Sequence, residues 1–224
     1  MRTIFHGSDH VVDAPMFGAG KPYNDYGQGF YCTESLDMAR EWAVGRDHDG
    51  FANRYDLDDA GLVIVDLNDD RFCTLHWLAV LLQNRIFDLR TPLAVEARAY
   101  LLGTFPVDLS AADVVEGYRA DDSYFTFAQD FLSGGISYRQ LQNAMKLGDL
   151  GRQVMLKSER AFNAISFVGA EAVSRNQWLA RRELRDAKAR AACFETERSA
   201  RRKGDLFIAA IIDEEMGPDD ARLR

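Results

Sequence analysis

Thr3-Ile4-Phe5-His6-Gly7-Ser8, then Gly27-Gln28-Gly29-Phe30-Tyr31-Cys32-Thr33, then Ser35-Leu36-Asp37-Met38-Ala39-Arg40-Glu41-Trp42 are the three pieces that decide the fold. Thr3-Ile4-Phe5 predicts a short strand running into His6-Gly7-Ser8, and Phe30-Tyr31-Cys32-Thr33 predicts a second, because β-branched and aromatic residues suit a pleated, half-buried surface. Between them stand Pro15, Gly18, Gly20, Pro22, Gly27 and Gly29. That much punctuation predicts a long loop, and long loops in compact domains are usually functional or mobile. Ser35 is a good N-cap, with Leu36, Ala39 and Ala43 giving the helix after it one apolar face.

Working outward, Phe51–Tyr55 and Leu62–Val65 read as strands, and Leu75–Ile86 and Leu93–Leu102 as helices. Asp113–Gly117 predicts a strand. Asp122–Leu132 and Tyr138–Leu147 predict amphipathic helices parted by Gly134-Gly135. Gln153–Leu156 and Ile165–Val168 are the last strands, and residues 175–203 one long polar helix. The apolar patch Leu206–Ile212 precedes an acidic tail expected to fray. Strands and helices do not alternate regularly enough for a doubly wound sheet, and neither a GxGxxG nor a P-loop is present, so the expectation is an α+β domain of short, largely antiparallel strands.

Of the 224 residues, 47% are hydrophobic and 28% charged, enough for a real core and incompatible with a disordered or collagen-like chain. No apolar run approaches 18 residues, so neither a membrane span nor a signal peptide is expected. Cys32, Cys73 and Cys193 are scattered without CxxC spacing, which reads as reduced thiols in a cytoplasmic protein. His10, His48 and His76 show no metal-ligand spacing, and no metal is expected. The net charge of −8 is uneven: Arg175 to Lys203 holds ten Lys and Arg against four Asp and Glu, a local +6 that leaves −14 for the rest. An acidic body does not collect nucleic acid non-specifically, and the mixed signs of the helix favour a solvated or partner-facing surface.

The chemistry concentrates at the N-terminal end. Gly7 lets a ligand approach the backbone closely beside the His6 imidazole, and Ser8 adds a hydroxyl. Tyr31 and Trp42, eleven positions apart, can clamp a flat ring. Were that ring cationic, each π face would stabilise it by about 0.5–2 kcal/mol.

His6-Gly7-Ser8 followed by Gly27-Gln28-Gly29-Phe30-Tyr31 resembles the first two motifs of the ADP-ribosyltransferase superfamily, in its His-Tyr-Glu branch with the poly-ADP-ribose polymerases. Trp42 holds the place of that branch's second aromatic. The wider pattern includes Glu41-Trp42-Ala43, Trp77-Leu78 with Asn84-Arg85, Asp113-Val114-Val115 with Ala120-Asp121-Asp122, and the Gln153 strand. It resembles an uncharacterised bacterial group of that superfamily, the DUF3990 family, whose genes often sit in toxin–antitoxin-like pairs. The resemblance covers roughly residues 1 to 170 and implies a split β-sandwich. It places a catalytic domain over 1–172, followed by a helical extension over 173–224.

The resemblance further implies NAD as co-substrate. His6 would bond a ribose hydroxyl on the adenosine side, Gly7 would hold the carboxamide through its backbone, and Ser8 would support amide or ribose. Tyr31 and Trp42 would sandwich the nicotinamide, and Gly29, Phe30 and Thr33 would complete the binding set. Family enzymes place a Glu at the start of a late strand, where it steadies the oxocarbenium-like ribose. Here Gln153 stands in that place, uncharged and a poor base, with Glu159 as a backup carboxylate that also suits a helix start. Chain elongation is therefore not expected. The remaining readings are single ADP-ribose transfer by a toxin or phage-defence enzyme, NAD hydrolysis, or a non-catalytic module. The acceptor stays open among protein, nucleic acid and small molecules, and an antitoxin bound through the C-terminal helix is the partner the resemblance suggests.

Overall fold

The computed structural model describes residues 1–119, 122–146, 152–198 and 202–224. The chain folds into two compact units, each built from three segments: 1–66, 109–119 and 150–185 in the first, and 67–108, 120–149 and 186–224 in the second.

Among the described residues, the first unit holds one mixed, seven-stranded sheet. Its strands are β1 (Arg2–Ser8), β2 (Phe30–Thr33), β3 (Gly50–Leu57), β4 (Ile64–Asp66), β5 (Val114–Tyr118), β6 (Arg152–Leu156) and β7 (Ile165–Val173), in the order β4-β5-β6-β2-β1-β3-β7. Only β4 and β5 run parallel; the other neighbours are antiparallel. The α+β class and the mainly antiparallel pairing agree with the sequence reading. β1 outruns the predicted Thr3–Phe5 because β3 pairs with its whole length, from Arg2 opposite Leu57 to Ser8 opposite Phe51. β7 likewise extends past Val168 to Val173 along β3.

One junction in this sheet differs from the rest. β1 meets β2 through a single residue pair, Phe5 opposite Thr33, whereas β2 pairs with β6 along all four of its residues. The sheet forks there, and had the register continued, Gly7 would face Tyr31.

Each face of the sheet carries its own core. On one, Ile4, Cys32, Tyr55, Leu57, Val114, Val154 and Leu156 pack with Ala161 of α6 (Glu159–Asn163). Ser158 caps α6, accepting from the Ala161 amide, so Glu159 does open this helix. On the other face, Ala39 and Ala43 of α1 (Leu36–Ala43) pack with Ala52, Val173 and Trp178. Ser35 caps α1 as expected, accepting from Met38 N at 3.3 Å. Trp178 belongs to α7 (Arg175–Arg198), whose early basic residues are engaged locally. Arg185 donates to the buried Glu41 at 2.6 Å, and Arg181 lies over the Trp178 ring. The first half of this helix thus anchors one side through Trp178 and Arg185, while Asn176, Gln177, Ala180, Arg181, Glu183 and Leu184 stay exposed.

The second unit is helical, with α2 (Thr74–Asn84), α3 (Pro92–Thr104), α4 (Asp122–Leu132), α5 (Tyr138–Lys146) and α8 (Ile208–Asp213) among its described residues. The acidic tail does not fray. Leu223 is fully buried, the Tyr138 hydroxyl donates to its carbonyl at 2.6 Å, and Tyr100 donates to Met216 O at 2.9 Å. Arg139 forks onto Asp205 at 2.8 and 2.9 Å and holds that carboxyl down at about 2. Asp121 lies outside the described residues.

Gly7 joins sheet to helix. A β carbon there would stand 2.0 Å from Ala39 O, 2.7 Å from Ala43 N and 2.8 Å from Trp42 Cβ, so α1 occupies the space a side chain would need. Gly7→Ala is expected to destabilise the protein by about 1–3 kcal/mol through overpacking. Gly103→Ala, in α3 with open space around it, is expected to stabilise it by about 0.4–1 kcal/mol. Denaturant melts of the two variants beside the parent check both signs.

Candidate functional site

The fork leaves Tyr31 opposite no residue of β1, and a buried carbonyl without a partner is costly. The His6 imidazole supplies the bond: its Nδ1 lies 2.7 Å from Tyr31 O. A carbonyl oxygen can only accept, so Nδ1 carries the proton and donates, leaving Nε2 as a bare acceptor. Burial pushes the His6 pKa below its ordinary value, outweighing the opposing effect of that hydrogen bond. The ring is therefore neutral at neutral pH, and its Nε2 has no partner among the described residues. Phe30 lies 4.4 Å away, centroid to centroid, and supports the ring in this position.

On β2, the Tyr31 hydroxyl donates to Gly27 O at 2.7 Å and accepts from Tyr26 N at 3.0 Å. Gly27 sits in the left-handed region, φ 88°, and closes a turn onto Asn24 O. The loop read as punctuation thus has a buried knot, Asp25-Tyr26-Gly27, tied to the tyrosine that follows it. The Tyr26 hydroxyl in turn donates to Tyr118 O on β5.

Gln153 lies next to this knot. It pairs with Thr33 on one side and Gly117 on the other, and register sets it on the same face as Thr33 and Tyr31. The side chain is buried, at 3% exposure, with Nε2 3.0 Å from Asp25 Oδ2 and 3.4 Å from Tyr118 O. Both partners are acceptors, so the amide nitrogen faces them and Oε1 points the other way. That oxygen has no partner among the described residues. Glu159, in α6, takes no part in this cluster.

The remaining candidates divide by what occupies them. Ser8 donates to His10 O at 2.6 Å and accepts from Asn53 Nδ2 at 2.9 Å, so its hydroxyl is already engaged. Thr33 Oγ1 accepts from Ser35 N at 3.1 Å, ahead of α1. The approach that Gly7 permits is that of α1. At Gly29 a β carbon would lie 2.1 Å from Met155 Sδ, so this glycine admits β6. Trp42 carries the Arg119 guanidinium over its ring at 5.0 Å, and its buried Nε1–H has no hydrogen-bond partner among the described residues.

Sequence reasoning missed Asp25, Tyr26 and Asn53. Asn53 is fully buried; its Nδ2 donates to His6 O at 3.2 Å and its Oδ1 accepts from Val12 N at 2.9 Å, strapping the loop after β1 to the strand. A clue was present, since asparagine is disfavoured in the middle of a strand such as Phe51–Tyr55. Tyr23-Asn24-Asp25-Tyr26 offered a fainter one, aromatic residues inside a Gly/Pro loop.

Residues 2–167 match the family described as a protein of unknown function, DUF3990, and the chain belongs to that family. The match spans the whole sheet as far as Phe167 in β7. No curated protein and no solved structure matches the chain.

A histidine held neutral by burial favours the folded state fully above its ordinary pKa, about 6.5, and that contribution is lost as pH falls below it toward the lowered folded value. For His6 the slope is at most about 1.4 kcal/mol per pH unit. His6→Gln is expected to flatten the fall in unfolding free energy below about pH 6.5. His76, lowered by the same cause, stays in both proteins. Urea melts across this pH range provide the check, and parallel curves for parent and variant would contradict the assignment.

Proposed function

We propose that this member of the DUF3990 family is an NAD-dependent mono-ADP-ribosyltransferase, built on an ADP-ribosyltransferase-like core and needing no metal. The observation that carries the reading is the fork. Where β1 and β2 part, His6 offers a neutral Nε2 acceptor from one strand, and Tyr31 stands on the other. Gln153, one strand further on, offers Oε1.

Two hydrogen-bond acceptors suit a ligand rich in hydroxyl donors, and NAD has two riboses. On this reading His6 Nε2 accepts from a ribose hydroxyl on the adenosine side, and Gln153 Oε1 from one on the nicotinamide side. Past Phe5 the β2-side edge of β1 has no ladder partner among the described residues. A planar carboxamide held at Gly7 would complete it much as a paired strand does. The nicotinamide ring lies between Tyr31 and Trp42, and Arg119 gives up the Trp42 face to it, since two cations compete for one π surface. The orphaned Trp42 N–H also fits a site that gains acceptors when NAD arrives.

Ionic attraction at such a site acts on the transition state. As the glycosidic bond lengthens, positive charge grows on the ribose, and an acceptor oxygen held in place beforehand stabilises it without reorganising. Gln153 can hold the ribose, but a neutral amide contributes less than a carboxylate would, which suits single transfer better than repeated elongation.

Isothermal titration with NAD tests the site. The parent is expected to bind, and His6→Ala or Tyr31→Ala to weaken binding at least about tenfold, or 1.4 kcal/mol. Variants that melt like the parent and bind NAD equally well would overturn the assignment. Incubating the protein with lysate and NAD labelled in its adenosine part is expected to move label onto a macromolecular fraction. Label recovered only as free ADP-ribose would mark the protein as a hydrolase instead.

A further inference from the structure

We infer that Asp25 is a positioning residue for ADP-ribosyl transfer, lending its negative charge to the reacting ribose through the side-chain amide of Gln153; this rests on the NAD reading above. Asp25 is 6% exposed and Gln153 3%, and they meet at 3.0 Å, Nε2 to Oδ2. A carboxylate is seldom buried to that degree without a specific role or partner. Among its partners is Gln153, the residue that on the NAD reading stands, uncharged, where the chemistry calls for a negative group.

The hydrogen bond has two effects on Gln153. It fixes the amide orientation, because a carboxylate accepts and therefore selects the NH2 end. Tyr118 O, also an acceptor, selects the same end. Oε1 is thereby committed to the opposite direction as an acceptor. The bond is also charge-assisted, and in a low-dielectric setting it polarises the amide, drawing electron density toward Oε1. Asp25 and Gln153 together thus present a more negative oxygen than glutamine alone. Asp25 itself is held by the loop knot whose next residue, Tyr26, bonds Tyr31 through its amide and Tyr118 O through its hydroxyl. The loop is therefore part of the reaction centre and not merely its cover.

The bond from the anomeric carbon to the pyridinium nitrogen breaks with its electron pair going to nitrogen, which leaves as neutral nicotinamide. A lone pair from the acceptor, a hydroxyl or amine, forms the new bond to the anomeric carbon and the acceptor's proton passes to water. Asp25 exchanges no atom. Its charge stabilises the ribose cation while the one bond is broken and the other not yet formed.

Nicotinamide release and NAD affinity are measured for the parent, Asp25→Asn, Asp25→Glu and the exchange Asp25→Asn with Gln153→Glu. Asparagine can turn its own NH2 toward Gln153, so Asp25→Asn is expected to slow release about 100-fold while the NAD KM stays within about threefold. The exchange keeps one carboxylate and one amide in contact and returns the charge to position 153, so it is expected to restore the parent rate or exceed it. Asp25→Glu keeps the charge and is expected to lose less than Asp25→Asn. Unchanged turnover in Asp25→Asn, or an exchange that melts like the parent and stays as slow as Asp25→Asn, would overturn the inference while leaving the NAD site standing. A parent that neither binds NAD nor releases nicotinamide would overturn the parent reading, and this inference with it.

Discussion

The hydrogen bond from His6 Nδ1 to the Tyr31 carbonyl is the contact on which the rest of the site depends. A sheet that forks must do something with the backbone groups on the two edges it opens. Water satisfies them where the edge is exposed; a half-buried edge needs a side chain of its own. Histidine suits the task at this fork because one ring nitrogen can satisfy the carbonyl and the other remains as an acceptor. The same bond therefore closes a structural deficit and fixes the tautomer, and burial keeps the ring uncharged. The structural and chemical roles of His6 cannot be separated, since whatever moves the ring also returns an unpaired carbonyl to the fork.

Packing on either side holds the two prongs apart. α1 sits against Gly7 so closely that no side chain fits between them, which pins β1 to the helix bearing Trp42. β2 is fixed on its other edge by β6, with Gly29 admitting Met155, and from its end by the turn at Gly27 that receives the Tyr31 hydroxyl. Asn53 ties the loop after β1 back to His6 and Ser8. The glycines of the two motifs thus serve the packing around the fork, and what the motifs encode in this structure is an opening in a sheet.

Much of this was legible in the sequence where local physics decides. β2 starts and stops as Phe30-Tyr31-Cys32-Thr33 predicts, because four strand-favouring residues lie between a glycine and a capping serine. Ser35 caps its helix as a short polar side chain at that position does, and Glu159 opens the short helix it suited. What the sequence did not disclose is non-local. The length of β1 depends on β3, some fifty residues on. The engagement of the basic helix depends on Glu41 receiving Arg185 and on Trp178 packing beside Ala39 and Ala43, neither of which charge counting sees. The tail is held by Tyr138 and Tyr100, whose hydroxyls gave no sign of their partners. Gln153 could be singled out in the sequence but its buried neighbour Asp25 could not, because a buried acid in a glycine-rich loop looks like any solvated turn residue until the strand that receives it is in place.

The most direct measurement is nitrogen-15 NMR of the His6 imidazole during titration with NAD. At neutral pH the ring should show a protonated Nδ1 and a bare Nε2, and the Nε2 resonance should move toward hydrogen-bonded values as NAD saturates the protein. A ring protonated at Nε2, or an Nε2 resonance that saturating NAD leaves in place, would contradict the claim that the fork in this sheet is a nucleotide site.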